Sequence, residues 1–113
     1  MYTILVLLNT TNTFMRKSRS DRDRIVREEV RPFLAHFQEK FEISMHDCDF
    51  TDSRYSDFMI ARVEKMEDFA YFMGYLRESC ILTEPYFEVK DIVIGLPQNF
   101  RGSMSIGDII ASK

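Results

Sequence analysis

Residues able to do chemistry are few in this chain and widely spaced. It has two histidines, His36 and His46, and two cysteines, Cys48 and Cys80. The densest group of ligand types is His46-Asp47-Cys48-Asp49. It falls in a segment that alternates like a strand, so neighbours point to opposite faces. Only His46 and Cys48 share a face there, and two ligands fall short of the three or four that a zinc site requires. No metal is expected. The sequence holds no P-loop, GxGxxG, nucleophile elbow or HExxH, so no cofactor is expected either. A diffuse set remains: His46, Ser44, Arg62, Glu88 and Lys90, all at strand positions on one sheet face. There His46 would act as general acid or base and Arg62 as an anion clamp. Leu5, Leu7, Phe58 and Ile60 would wall the pocket for a small aromatic or carboxylate ligand. The plainer reading pairs Arg62, Glu88 and Lys90 with one another at an interface rim. His36 reads as a surface residue, and Tyr71 and Tyr75 as exposed or interface aromatics.

The elements that must position these residues follow from hydrophobic period. Tyr2 to Asn9 is aliphatic and β-branched, apolar on both faces in its middle, and too short for a helix. Phe14 and Met15 can seat a short helical turn in the polar loop that follows. Ser20 is the expected N-cap of the first long helix, with Asp23 three residues on. Ile25, Val26, Val30, Phe33, Leu34 and Phe37 form its stripe. Pro32 lies inside that stripe and should remove a hydrogen bond to the Glu28 carbonyl and kink the helix. Phe41 to Cys48 alternates as a half-buried strand. The turn formers between Asp49 and Ser56 predict a hairpin, with Asp57 to Glu64 as the returning strand.

A second helix spans Met66 to Cys80, with Met66, Phe69, Ala70, Met73, Leu76 and Cys80 as its buried stripe. Gly74 inside it costs about 1 kcal/mol relative to alanine, which a close approach by a neighbouring element would offset. After Glu84-Pro85, Tyr86 to Ile94 forms a fourth strand, with Phe87, Val89 and Val93 on one face and Glu88, Lys90 and Ile92 on the other. The order strand, helix, strand, strand, helix, strand is the βαββαβ pattern of an α+β ferredoxin-like sandwich, a four-stranded antiparallel sheet with both helices on one face. The first and fourth strands are expected to be central. Residues 1–95 form this domain, and 96–113 form a tail, either an arm or partly disordered, carrying the patch Ile106, Ile109 and Ile110.

The chain has 113 residues and a mass of 13.4 kDa, with net charge -3 and pI ≈ 5.4. That size suits one domain, and the acidic balance argues against a nucleic-acid partner. The basic run Arg16 to Arg24 reads as a loop and helix start whose charges partly pair. The longest apolar run, Ile4 to Leu8, is far short of the ~20 residues that a membrane span needs. No signal peptide is apparent, so the cytoplasm is expected, with both thiols reduced. The helix-free face would carry Leu5, Leu7, Phe58, Ile60 and Ile92, an unusual apolar patch for a monomer. A homodimer, sheet on sheet, is therefore expected, with these five residues at its interface.

Three segments carry a family resemblance: Leu5-Val6-Leu7-Leu8-Asn9-Thr10-Thr11, Arg27-Glu28-Glu29-Val30-Arg31-Pro32-Phe33-Leu34 and Pro85-Tyr86-Phe87-Glu88-Val89-Lys90-Asp91-Ile92. Together they resemble the darcynin family of small bacterial proteins of unknown function, over most of residues 1 to 95. The resemblance implies a dimeric α+β barrel type of domain and supplies no catalytic residue. Two functional readings follow. One is a non-enzymatic binding or structural homodimer. The other is a cofactor-free enzyme or small-molecule carrier that uses a pocket between two sheets, with His46 and Arg62 in it.

Overall fold

The computed structural model describes residues 1–51 and 54–97. The first strand, β1 (Tyr2–Thr10), buries Ile4, Val6 and Leu8 almost completely, while Leu5 and Leu7 on its other side stay half-buried. A short helix, α1 (Asn12–Met15), follows, capped by the Thr11 hydroxyl and anchored by buried Phe14. The long helical stretch begins with α2 (Arg19–Ile25), whose cap is Ser18 rather than Ser20. The Ser18 hydroxyl accepts from the Asp21 N–H, the same serine-to-aspartate spacing two residues earlier. Val26–Val30 then form a π-helical turn, in which the Arg31 N–H reaches back five residues to the Val26 carbonyl. This turn is the form that the expected disturbance at Pro32 takes. It lets Pro32 sit in the first turn of α3 (Arg31–Gln38), where its missing N–H is not needed. The apolar stripe survives, with Ile25, Val30, Leu34 and Phe37 buried.

A hairpin of β2 (Glu42–Asp47) and β3 (Asp57–Val63) comes next, then α4 (Met66–Glu78), a short α5 (Cys80–Thr83) and β4 (Phe87–Gly95). In α4 the buried residues are Phe69, Phe72 and Leu76. Ala70, expected inside, is exposed, because the stripe centres on Phe72, which is fully buried. Four aromatic rings surround Phe72. The nearest is Phe37, edge-on at 5.1 Å, followed by Phe33, Phe41 and Phe69. Among the described residues no close approach compensates Gly74; a methyl group there would meet none of them within 4 Å. Among the described residues, no helix is long and apolar enough to cross a membrane. The two cysteines are not bridged to each other, since Cys48 Sγ faces the Tyr55 carbonyl and Cys80 Sγ faces Glu29.

The sheet is antiparallel throughout, in the order β2-β3-β1-β4. The fold is therefore ferredoxin-like α+β, and the helices bury their stripes on one face with Ile4, Val6, Ile43, Met59 and Ala61. The central pair is β1 and β3, not β1 and β4. In this topology the hairpin strand β3 lies against β1, which leaves β4 as an edge.

The pairing of β4 corrects a second expectation. Leu8 pairs with Val89 but Leu7 with Asp91, so Lys90 is an extra residue, a β-bulge. Partners across an antiparallel pair share a face. Beyond the bulge, Ile92 therefore pairs with Val6 on the helix side and Val93 with Leu5 on the open side. Ile92 does not belong to the open face; Val93 takes that place. Deleting Lys90 should remove the bulge and leave every flanking residue on its present face, so thermal unfolding by circular dichroism should stay cooperative. Deleting Met59 from central β3 should reverse the facing of the residues beyond it and abolish that transition.

Candidate functional site

The open face of the sheet consists of cross-strand rows that the register specifies. One row is Ser44, Ile60, Leu5 and Val93; the next is His46, Phe58, Leu7 and Asp91. Outside these lie Glu42, Arg62, Thr3 and Gly95 at one end, and Asn9 with Glu88 at the other. The middle of the face is thus an apolar strip of Ile60, Leu5, Val93, Phe58 and Leu7. Four of these are half-buried and Val93 is 50% exposed. Polar groups frame the strip, and each has a partner. Arg62 meets Glu42 at 3.6 Å and Lys90 meets Glu88 at 3.0 Å. The Tyr55 hydroxyl donates to the Asp91 carboxylate. His46 Nε2 lies 2.8 Å from Ser44 Oγ, and its ring stacks on Phe58 with centroids 4.9 Å apart.

His46, Arg62, Glu88 and Lys90 all occur on this side, but one chain does not bring them together. His46 stands opposite Phe58, and Arg62 is four residues further along β3. At ~3.3 Å per residue this separates them by about 13 Å. Arg62 pairs with Glu42 rather than with Glu88, a partner that the alternation of Glu42, Ser44 and His46 does place on this face. Val93 is the residue missed from sequence. A bulge has no periodic signature, so nothing in the spacing announces that the faces exchange at Lys90.

A second feature lies on the helix side, at the end where β2 meets β3. A cleft of about 530 Å³ is lined by Asp47, Asp49 and Asp57, by Arg19, Arg22 and Asp23 of α2, and by Phe14 and Phe87. Asp47 and Asp57 are cross-strand partners. Burial, followed by the negative charges of Asp47 and Asp49, raises the pKa of Asp57 above the usual carboxylate value, against a hydrogen bond from Ser56. A hydrogen bond with Asp47 and then its charge raise the pKa of Asp49. Among the described residues, no group of three or more His, Cys, Asp and Glu is placed to hold a metal ion.

Over 72 residues the chain is 32% identical to darcynin of Chromobacterium violaceum, an alignment that spans 64% of this chain and 90% of that protein. The chain belongs to the darcynin family. No family model matches it. Its backbone also matches chlorite dismutase variants from Candidatus Nitrospira defluvii. One superposes with a TM-score of 0.72 at 9% identity, over 86% of this chain and 40% of the other. Another gives 0.70 at 10% identity, over 99% and 47%. The darcynin chain thus spans less than half the length of these structures, and the likeness is one of fold.

The raised pKa of Asp57 carries a consequence for stability. A carboxyl that holds its proton more tightly when folded adds stability below the unfolded pKa and loses it as pH rises through the folded value. Asp57→Asn should therefore melt at a higher temperature than the parent protein at pH 7. The gap should close as pH falls through the carboxylate range, as thermal denaturation between pH 3 and pH 8 would register.

Proposed function

We propose that this darcynin is a homodimeric domain with a binding or structural role, and that two copies clasp through the open faces of their sheets in the cytoplasm. The observation that carries this reading is the apolar strip Leu5, Leu7, Phe58, Ile60 and Val93, contiguous across three strands and framed by paired polar groups. An apolar centre within a polar rim is the anatomy of a protein interface. The strip crosses the middle of the sheet, so a two-fold axis through it lays the strip on its own copy, as an isologous contact requires. Covering such side chains contributes roughly 1.5–3 kcal/mol for each one fully removed from water, less for the half-buried ones, before the cost of association. Light scattering should give twice 13.4 kDa for the parent protein. The double variant Leu7→Lys/Val93→Lys should give a folded monomer. A parent protein that stays monomeric at high concentration would sink the proposal.

One observation favours a second reading, in which the seam between copies holds a small ligand. His46 is oriented by Ser44 and stacked on Phe58 at the margin of the apolar strip. The imidazole thus sits with a polar edge beside an apolar floor, a setting for a proton donor or acceptor against an aromatic carboxylate. Because Arg62 is distant within one chain, a second copy would have to supply the anion clamp. Benzoate or salicylate should then raise the melting temperature of the parent protein, and His46→Ala should abolish that shift while the dimer mass persists. If neither compound stabilises the parent protein, this reading fails and the dimer reading stands.

A further inference from the structure

The charges along α2 are met unevenly. Arg24 pairs with Asp21 at 3.9 Å and with Glu28 at 3.7 Å, and Arg27 pairs with Glu28 at 3.8 Å. Arg19 and Arg22 line the cleft at the end where β2 meets β3. Among the described residues, no carboxylate lies within 4 Å of either guanidinium. The Arg22 guanidinium instead lies 3.6 Å from the Met15 sulfur, a weak acceptor. The carboxylates of the same cleft also lack a described cation at ion-pair distance. Asp47 and Asp57 are cross-strand partners, so their side chains leave adjacent backbone positions on one face. Asp57 is half-buried, and burial first and then the charges of Asp47 and Asp49 oppose its ionisation. Buried Phe14 and Phe87, with ring centroids 5.6 Å apart, add an apolar lining, and Tyr86 packs on Phe14 at 5.8 Å. All of these groups lie within the described residues, whereas the tail patch Ile106, Ile109 and Ile110 lies outside them.

We propose that this cleft binds a small aromatic amino acid, with its ammonium on Asp47 and Asp57 and its carboxylate on Arg19 and Arg22. Each part of such a ligand answers a group that the chain leaves unmatched. An ammonium has three donors and no acceptor, so it can bridge two carboxylates and supply the countercharge that Asp57 lacks. Arg19 and Arg22 stand three residues apart on one helix, hence on one face, and the guanidinium fork matches a carboxylate. The ligand's ring extends the aromatic group of Phe14, Tyr86 and Phe87. The volume of about 530 Å³ lies within the range of small-molecule sites. Ligands with one charge fit less well. A simple carboxylate adds negative charge beside the aspartates, and a simple amine leaves both arginines without an anion. The cleft is on the helix side of the sheet, so it is separate from the open face and from His46.

The test is isothermal titration calorimetry of the full chain at pH 7 with L-phenylalanine, phenethylamine and 3-phenylpropionate. The last two each lack one charge of the first. Phenylalanine should bind at one site per chain, and each analogue should bind at least tenfold more weakly. Asp57→Asn, expected above to be the more stable protein at pH 7, should weaken phenylalanine binding at least tenfold. Arg19→Gln/Arg22→Gln should weaken phenylalanine to the same degree, with the circular dichroism spectrum unchanged, while phenethylamine binds as it does to the parent protein. Failure of phenylalanine to bind the parent protein, or equal affinity for either analogue, would overturn the proposal. So would undiminished binding of phenylalanine by Asp57→Asn or by a folded arginine variant. None of these outcomes depends on whether the open sheet faces pair.

Discussion

Everything in this fold depends on β1 being apolar on both sides. Its inner residues, Ile4, Val6 and Leu8, are the floor on which both helical segments close, and they are almost wholly removed from water. Its outer residues, Leu5 and Leu7, cannot be covered by the same helices, because successive strand residues point to opposite faces. A strand that is central and two-sided therefore builds one core within the chain and leaves the material for a second contact outside it. The neighbours follow suit: Phe58 and Ile60 on β3 and Val93 on β4 extend the outer surface.

The inner layer is held by aromatic packing more than by polar contacts. Phe72 is enclosed by Phe33, Phe37, Phe41 and Phe69, which ties both helical stretches to the start of β2. No buried polar or charged residue occurs among the described residues, and no buried side-chain polar atom there lacks a partner. The inner core thus gains from burial without the desolvation costs of unpaired polar groups. Charge is confined to the rims. At the Asp47, Asp49 and Asp57 group like charges are crowded against partial burial, and the raised pKa of Asp57 reflects it.

The edge strand β4 combines two opposed tendencies. Its first half carries Glu88, Lys90 and Asp91 and a bulge, devices that discourage pairing with a foreign strand. Its second half exposes Ile92, Val93 and Ile94 on both faces. The bulge between the halves decides which of these residues belongs to which face. A dimer seam built on the open face would therefore include Val93 and leave Ile92 on the helix side.

Local pattern in the sequence was enough for the elements and their order. The two-sided strand, the helical stripe running through Pro32, the alternating hairpin strands and the βαββαβ order each depend on residues a few positions apart, where period two and period 3.6 are directly visible. The open-face positions of Leu5, Leu7, Phe58, Ile60, Ser44 and His46 follow from the same alternation. Three matters depend on contacts between distant segments and were decided only by the tertiary structure. The order of strands puts β3 in the centre with β1 and leaves β4, also paired to β1, at the edge, since hydrogen bonding between non-consecutive strands has no local signal. The bulge at Lys90 exchanges Ile92 for Val93, since one unpaired residue shifts every position after it. Arg62 and His46 are held apart at different rows of the sheet, because the distance between two residues on one face is set by the register of the strands that carry them.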